Sequence, residues 1–478
     1  MTRTTALRRA LLAATMLGAL SACSLIPDLQ TPAPPVAQAW PAGSAYAPQA
    51  AEPGGKTLAD LGWDEVFRSK TLRSLIAAAL EANRDLRIAA LNVEAARAAY
   101  GVSRADLLPT VDANGARSRA RTPRELTSSG RAATATTYTA NLGVTAFELD
   151  FFGRLRSLNA QALETFLATQ EAQTGARIAL IAEVANAWLT LQADRRQLRL
   201  TEETLETRQT SQALIDARFE NGIATELDVA QARTSLETAR VNLASYTRAV
   251  AQDRNALELL AGRPLAEADI ADDGDDLSSL VALPPAGLSS AVLLRRPDIR
   301  EAEHALRAAN ATIGAARAAF FPTISLTGSA GFGSARLGSL FEGASRAWTF
   351  APSVSAPIFD AGRNFANLDA AKAQRDIAAA TYEKAIQSAF REVADGLAAR
   401  KTLVEQIAAQ TALVAASEKS FFLSQARYDR GVSSYLEVLD AQRSLYAAQQ
   451  AQIGLELTQL ANLVTLYKSL GGGPPPQS

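Results

Sequence analysis

One phrase is written twice in this chain of 478 residues: RFENGIATELDVAQAR over 218–233 returns as RYDRGVSSYLEVLDAQR over 427–443. Its glycines, Gly222 and Gly431, lie 209 positions apart (431 − 222), close to half the chain. A repeat on that scale dictates architecture before chemistry, because each half must be a unit that packs beside a copy of itself. From Arg154 to Glu220 there is no proline and a single glycine. That stretch predicts a helix about 100 Å long at about 1.5 Å per residue. Gly222 then ends it with a left-handed residue, and Gly431 ends its counterpart. The two glycines are read as the tip turns of two helical hairpins.

Heptad stripes support the helices. Val229, Leu236, Leu243, Val250 and Leu257 recur every seven residues, as do Leu439, Tyr446, Ile453, Leu460 and Tyr467. Ile181, Val184, Trp188, Leu191, Leu198 and Leu205 form a seam, and Phe390, Val393, Leu397, Val404, Ile407 and Val414 form another in the second half. These are coiled-coil spacings.

Four segments alternate with period two instead, two in each half. Tyr138, Ala140, Leu142, Val144 and Ala146 alternate with Thr, Asn and Gly. Ile324, Leu326, Gly328, Ala330 and Phe332 alternate with Thr, Ser and Gly, and Trp348, Phe350, Pro352, Val354, Ala356 and Ile358 with Thr, Ala, Ser and Pro. A weaker fourth starts at Thr110 and carries Arg117, Arg119 and Arg121 at its far end. The expected strands are about 110–119, 137–149, 323–332 and 348–358. Each is long enough to cross a tilted bilayer path, with a small polar face for water and an apolar face for lipid. An amphipathic hairpin lying on a soluble core would show the same alternation. Four strands cannot close a barrel, and an open edge in lipid leaves backbone groups unpaired at several kcal/mol each. Identical chains must then share one barrel. Two copies give eight strands and a filled interior, whereas three give twelve and room for water. Pro109 and Pro322, with Gly153 and Gly362, mark the strand–helix junctions of the two halves.

The address is written in the first 23 residues: Arg3, Arg8 and Arg9, an apolar run from Ala10 to Leu20, then Ser21, Ala22 and Cys23. Residues 1–22 read as an export signal, too short for a permanent span. Cys23 is the only cysteine. It excludes an internal disulfide, and after LSA it is the expected lipidation site, with no other cofactor. Ser24 follows it and points to the outer membrane. Residues 23–55 read as an extended tether, 56–262 as the first repeat, 263–297 as a linker, 298–470 as the second repeat and 471–478 as a tail. Lys and Arg number 48 against 49 Asp and Glu, and the leader removes only basic residues. No basic face invites nucleic acid.

The stretch WDEVFRSKTLRSLIAAALEANRDLRIAALNVEAARAAYGVSRADLLPT, the motif FELDFFGRLR and the doubled glycine turn together resemble the outer-membrane efflux channels of the TolC and OprM type. The Cys23 signal and GVSSYLEVLDAQRSLYAAQQ resemble most closely the lipoprotein outlets of resistance-nodulation-division pumps. The likeness covers Trp63 to Leu470. It implies a mainly α-helical homotrimer in which a twelve-stranded outer-membrane β-barrel continues into a periplasmic α-barrel. A collar would use residues near 56–70, 262–297 and 467–478. The implied partners are a periplasmic adaptor, an inner-membrane transporter of that class and outer-membrane lipid. The resemblance also assigns a periplasmic gate to Leu436, Glu437, Asp440 and Arg443, which share a helix face. It makes Asp228 and Tyr428 the hairpin closure contacts. Ser433 stands where some relatives carry an arginine in that network.

Enzyme chemistry is not expected. The single histidine, His304, reads as a surface or packing residue, and with one cysteine no zinc or copper set can be assembled. GFGSARLG at 331–338 lacks the spacing of a dinucleotide loop. Two other readings stay open: the outlet of a one-step (type I) protein secretion system, and a lipid-anchored periplasmic coiled-coil scaffold or adaptor.

Overall fold

The computed structural model describes residues 24–46, 60–128, 130–271 and 290–473. The leader, Cys23 and much of the tether, linker and tail lie outside the described residues. A one-turn helix at Trp63–Val66 precedes α1 (Lys70–Ala82) and α2 (Arg84–Ala105). Strands β1 (Asp112–Thr122) and β2 (Ala133–Glu148) follow, then α3 (Arg154–Glu220) and α4 (Glu226–Ala261). The second half repeats the order with α5 (Pro297–Ala318), β3 (Thr323–Ser334), β4 (Arg346–Ser355), α6 (Arg363–Asp429) and α7 (Tyr435–Ser469). Helices α3 and α6 are each 67 residues long.

The chain divides into two compact units. One comprises the residues up to Ala33 with Asn92–Gln170 and Glu301–Tyr382, and the other Pro34–Leu91, Glu171–Arg300 and Glu383–Ser478. The first holds the sheet, whose four strands pair antiparallel in the order β1-β2-β3-β4. Its register puts the alternations of all strands in phase, because directly paired residues share a face. Gly115, Ala140, Phe332 and Arg346 form one rung, and Ala113, Leu142, Ala330 and Trp348 the next. Val144, Gly328 and Phe350 form the third. The opposite face carries Asn114, Asn141, Thr139, Ser329, Thr349 and their like. There Ser325 meets Ser353 and Ser329 meets Thr349, each at 2.8 Å. A bulge between Val144 and Phe147 holds Ala146 at φ 51°, and Thr327 Oγ1 accepts its otherwise unpaired N–H at 3.1 Å.

The strands differ from the sequence expectation at their ends. β1 runs on to Thr122 and β2 starts at Ala133, so that hairpin is longer than the alternation suggested. Beyond a bilayer both faces of a hairpin meet water, and the alternating pattern fades while the ladder persists. β4 begins earlier, at Arg346, and stops at Ser355, leaving Ala356 and Ile358 outside it. Pro357 lacks the N–H that would extend the ladder.

In the helical unit the α7 stripe of Leu439, Tyr446, Ile453, Leu460 and Tyr467 is buried throughout. So are Ile181, Val184, Trp188 and Leu191 on α3. The α6 stripe departs from the heptad. Val404 is exposed, and Leu403 is buried in its place, because a straight helix drifts about 20° per heptad. Tyr446 is a polar node among three helices: its hydroxyl lies 2.8 Å from Thr201 Oγ1 on α3 and accepts from Asn242 Nδ2 on α4 at 3.3 Å.

The segments expected near the collar meet. Tyr467 packs edge-on to Phe67 at 5.6 Å, Arg295 pairs with Asp60 at 3.1 Å, and buried Arg296 donates to Ser469 O at 2.7 Å. Residues 24–46, read as a tether, form neither helix nor strand, yet they are held down. Asn310 and Arg317 donate to Pro27 O and Leu25 O in one unit. In the other unit Trp40 is buried, stacked 4.9 Å from Phe390. Burying an indole supplies what a proline-rich linker lacks.

Candidate functional site

The long helices start and stop by the same devices in both halves. Gly153 (φ 74°) and Gly362 (φ 86°) precede α3 and α6, and an aspartate caps each start. Asp150 accepts from the N–H groups of Leu155 and Arg156, and Asp360 from those of Gly362 and Asn364. The bonds from Asn364 and Gly362 hold the Asp360 carboxyl below the usual range. Pro109 lies between α2 and β1, and Pro322 directly precedes β3. The capping aspartates were legible as D-F-F-G-R and D-A-G-R but were not singled out.

Both tips close in Schellman form. Gly222 (φ 72°) donates to Phe219 O at 2.9 Å and Ile223 to Arg218 O at 2.8 Å. Gly431 (φ 71°) donates to Tyr428 O and Val432 to Arg427 O, both at 2.9 Å. Beyond the turn the halves part company. Thr225 and Asp228 form a reciprocal capping box at the start of α4, with Asp228 Oδ2 accepting from Thr225 N at 2.9 Å and from its hydroxyl at 2.8 Å. Shifted by 209, those positions are Ser434 and Glu437. Ser434 makes no side-chain cap, and Glu437 instead faces Arg427 across the turn at 4.0 Å.

The two hairpins of one chain are joined by an apolar cluster. Ile215 and Ala232 from the first pack with Tyr435, Val438 and Leu439 from the second, and Val229, Phe421 and Tyr428 lie against them. Arg218 sits 4.5 Å over the Tyr428 ring, which is 5.5 Å from Tyr435. Within the chain the Tyr428 ring packs against Arg218 and Tyr435, and Asp228 caps its own helix. Arg218 and Tyr435 were missed from sequence. Their signal was the repeat itself, since Arg218 stands 209 before Arg427. The Ser433 hydroxyl is enclosed without a hydrogen-bond partner among the described residues.

Leu436, Glu437, Asp440 and Arg443 all lie on the exposed face of the first turns of α7, opposite Tyr435, Val438 and Leu439. Among the described residues neither Asp440 nor Arg443 has an ion pair. In the first repeat their counterparts are Gln231 and Thr234, so this charge pattern occurs once per chain. Ile223, Leu227, Val432 and Leu436 are also exposed at the tips. Such apolar tips mark contact sites.

Among the described residues no group of three or more His, Cys, Asp or Glu could hold a metal ion, and His304 Nδ1 is spent 2.6 Å from Glu164. No described helix is long and apolar enough to cross a membrane.

Comparison with known proteins places the fold. The family model "Outer membrane efflux protein" matches residues 75–263 and 288–472, one match on each repeat. The chain is 52% identical over 458 residues to the toluene efflux pump outer membrane protein TtgC of Pseudomonas putida, covering 95% of this chain and 93% of that protein. It is 44% identical over 454 residues to outer membrane protein OprJ of Pseudomonas aeruginosa, covering 95% and 94%. The open state of the Neisseria gonorrhoeae MtrE outer membrane channel superimposes with a TM-score of 0.84 at 39% identity, over 94% of this chain and 98% of that one. Two repeats, a four-stranded sheet with one apolar face, and similarity along nearly the whole length lead to one assignment: the chain belongs to the outer membrane efflux protein family.

Proposed function

We propose that three copies of this chain pool their sheets into one twelve-stranded barrel and serve as the passive exit duct of a tripartite efflux pump. The observation that carries the proposal is the sheet register: the large apolar side chains of the four strands fall on one face, Thr139, Asn141, Ser325, Ser329 and Thr349 lie on the other, and β1 and β4 are left with an unpaired edge. Such a sheet is stable in lipid only when other copies close it. Lipid on Cys23 would add a modest anchor to that barrel.

The partners are a periplasmic adaptor that holds the exposed tips and an inner-membrane transporter of the resistance-nodulation-division class that supplies the energy. Cargo follows from the company the chain keeps. Relatives half identical to it are named for efflux of toluene, other solvents and antibiotics. Small apolar toxic compounds are therefore its cargo, and a duct lined by Ser, Thr and small residues leaves the choice among them to the transporter. Deleting the gene should make cells several-fold more sensitive to toluene, and plasmid-borne wild-type chain should restore tolerance. Unaltered tolerance, with no trimers in the outer-membrane fraction, would refute the duct.

A further inference from the structure

The rungs of the sheet fix where its arginines lie. Arg117 pairs with Tyr138, Arg119 with Thr136 and Arg121 with Thr134, so all three project on the face that bears Leu142, Phe332, Trp348 and Phe350. Arg346 joins them one rung inward, opposite Phe332. The three β1 arginines climb about 14 Å along the strand toward the β1–β2 loop, at about 3.4 Å per residue. A guanidinium on the lipid face costs about 2–4 kcal/mol at mid-bilayer and close to nothing at the interface. The ladder therefore occupies the headgroup layer at the end of the sheet away from the helices, just past the aromatic residues Tyr138, Phe332 and Trp348.

Charges there need a counter-charge, and the described residues do not supply one. Among the described residues none of Arg117, Arg119, Arg121 or Arg346 is paired with a carboxylate. Glu125 in the adjoining loop is already beside Arg124 at 3.5 Å. Arg117 is instead held 5.7 Å over the Tyr138 ring. Directly inward of it the apolar face carries a shallow depression of about 440 Å³, lined chiefly by Ala113, Gly115, Ala140, Leu142, Phe332 and Phe341. Small residues sink its floor, and the edge-to-face pair of Phe332 and Phe341, 5.5 Å apart, raises its rim. An arginine row above an apolar trough matches an amphiphile with a phosphate head and acyl chains.

We infer that this face binds a phosphorylated lipid of the outer leaflet, its phosphates forked by Arg117, Arg119 and Arg121 and one acyl chain lying in the depression. Arginine suits this role because its planar fork meets phosphate oxygens two at a time. The inference rests on the apolar face being the outer wall of the barrel. Bound lipid would set the height of the barrel in the membrane and rivet the β1 edge where chains adjoin.

Native mass spectrometry of the detergent-purified full-length trimer tests it, with bis-phosphorylated lipid A and its dephosphorylated form as probes. The wild type should retain the phosphorylated form about tenfold better than the other. Arg117→Gln with Arg119→Gln and Arg121→Gln should erase that preference, while Arg124→Gln with Arg131→Gln in the loop keeps it. Inorganic phosphate in large excess should not displace the lipid, because it leaves the trough empty. Equal retention of both forms by the wild type, unaltered retention by the triple variant, or full displacement by free phosphate would each overturn the inference. If the triple variant fails to assemble, Arg119→Gln and Arg121→Gln singly give the same reading at smaller size. Trimers that assemble and conduct yet show no phosphate preference would sink the lipid site alone, whereas absence of wild-type trimers would remove the barrel and the site together.

Discussion

We propose that the duct's resting state turns on Asp440 and Glu437. Each stands on the exposed face of α7, and Glu437 is held only loosely, 4.0 Å from Arg427. Three copies of Asp440 around a narrow axis would concentrate negative potential there. Asp440→Ala combined with Glu437→Ala should raise single-channel conductance in a planar bilayer and lower cation preference roughly twofold. Identical conductance and selectivity would place the constriction elsewhere. These residues carried no gate signal of their own in the sequence, where charges on a helix usually mean a solvated face. Only the family likeness singled them out. Asp228 does carry a local signal of its own, because T-x-x-D before an apolar run spells a capping box, which the structure forms.

Between α3 and α4 the pairing of Asp194 with Asp253 is an element-scale weak point. Burial, together with the neighbouring Asp194 carboxyl, pushes Asp253 up to about 6, and burial raises Asp194 as well. A carboxyl with a raised folded-state pKa favours the folded form while it holds its proton. That contribution is complete below about pH 4 and is lost as pH climbs through about 6. Asp253→Asn keeps a neutral hydrogen-bonding partner at every pH. It should slow hydrogen exchange in the α3–α4 hairpin at pH 7.5 by an amount corresponding to about 1 kcal/mol, discounted for partial solvent access, and remove the difference between pH 5 and pH 7.5. A variant as pH-sensitive as the parent would show that another group is responsible. The helices themselves were plain in the sequence, since a proline-free run between Gly153 and Gly222 has few alternatives to a rod. Which polar groups meet across them was not, because a heptad stripe predicts a seam and not the partner opposite each position. Tyr446 was read as one more core residue, yet it bonds to Thr201 and Asn242 on two different helices.

For the whole molecule, the faces of the sheet decide what a substitution does. Phe350 lies on the third rung of the apolar face and Thr349 on the opposite one. Phe350→Arg should cost about 2–4 kcal/mol in lipid and sharply cut the yield of heat-modifiable trimers. Thr349→Arg should leave the trimers intact and alter conductance instead. The reverse pattern would turn the barrel inside out. Strand identity was legible from alternation wherever one face meets lipid, and illegible along Ala120–Thr122 and Ala133–Thr136, where neither side repels water. The open edges at β1 and β4 have a kinetic corollary. In the proposed trimer a solitary subunit has no halfway house in the bilayer, so folding of its sheet and recruitment of its neighbours would be one event, and the yield of finished ducts should rise with roughly the third power of subunit concentration until supply no longer limits.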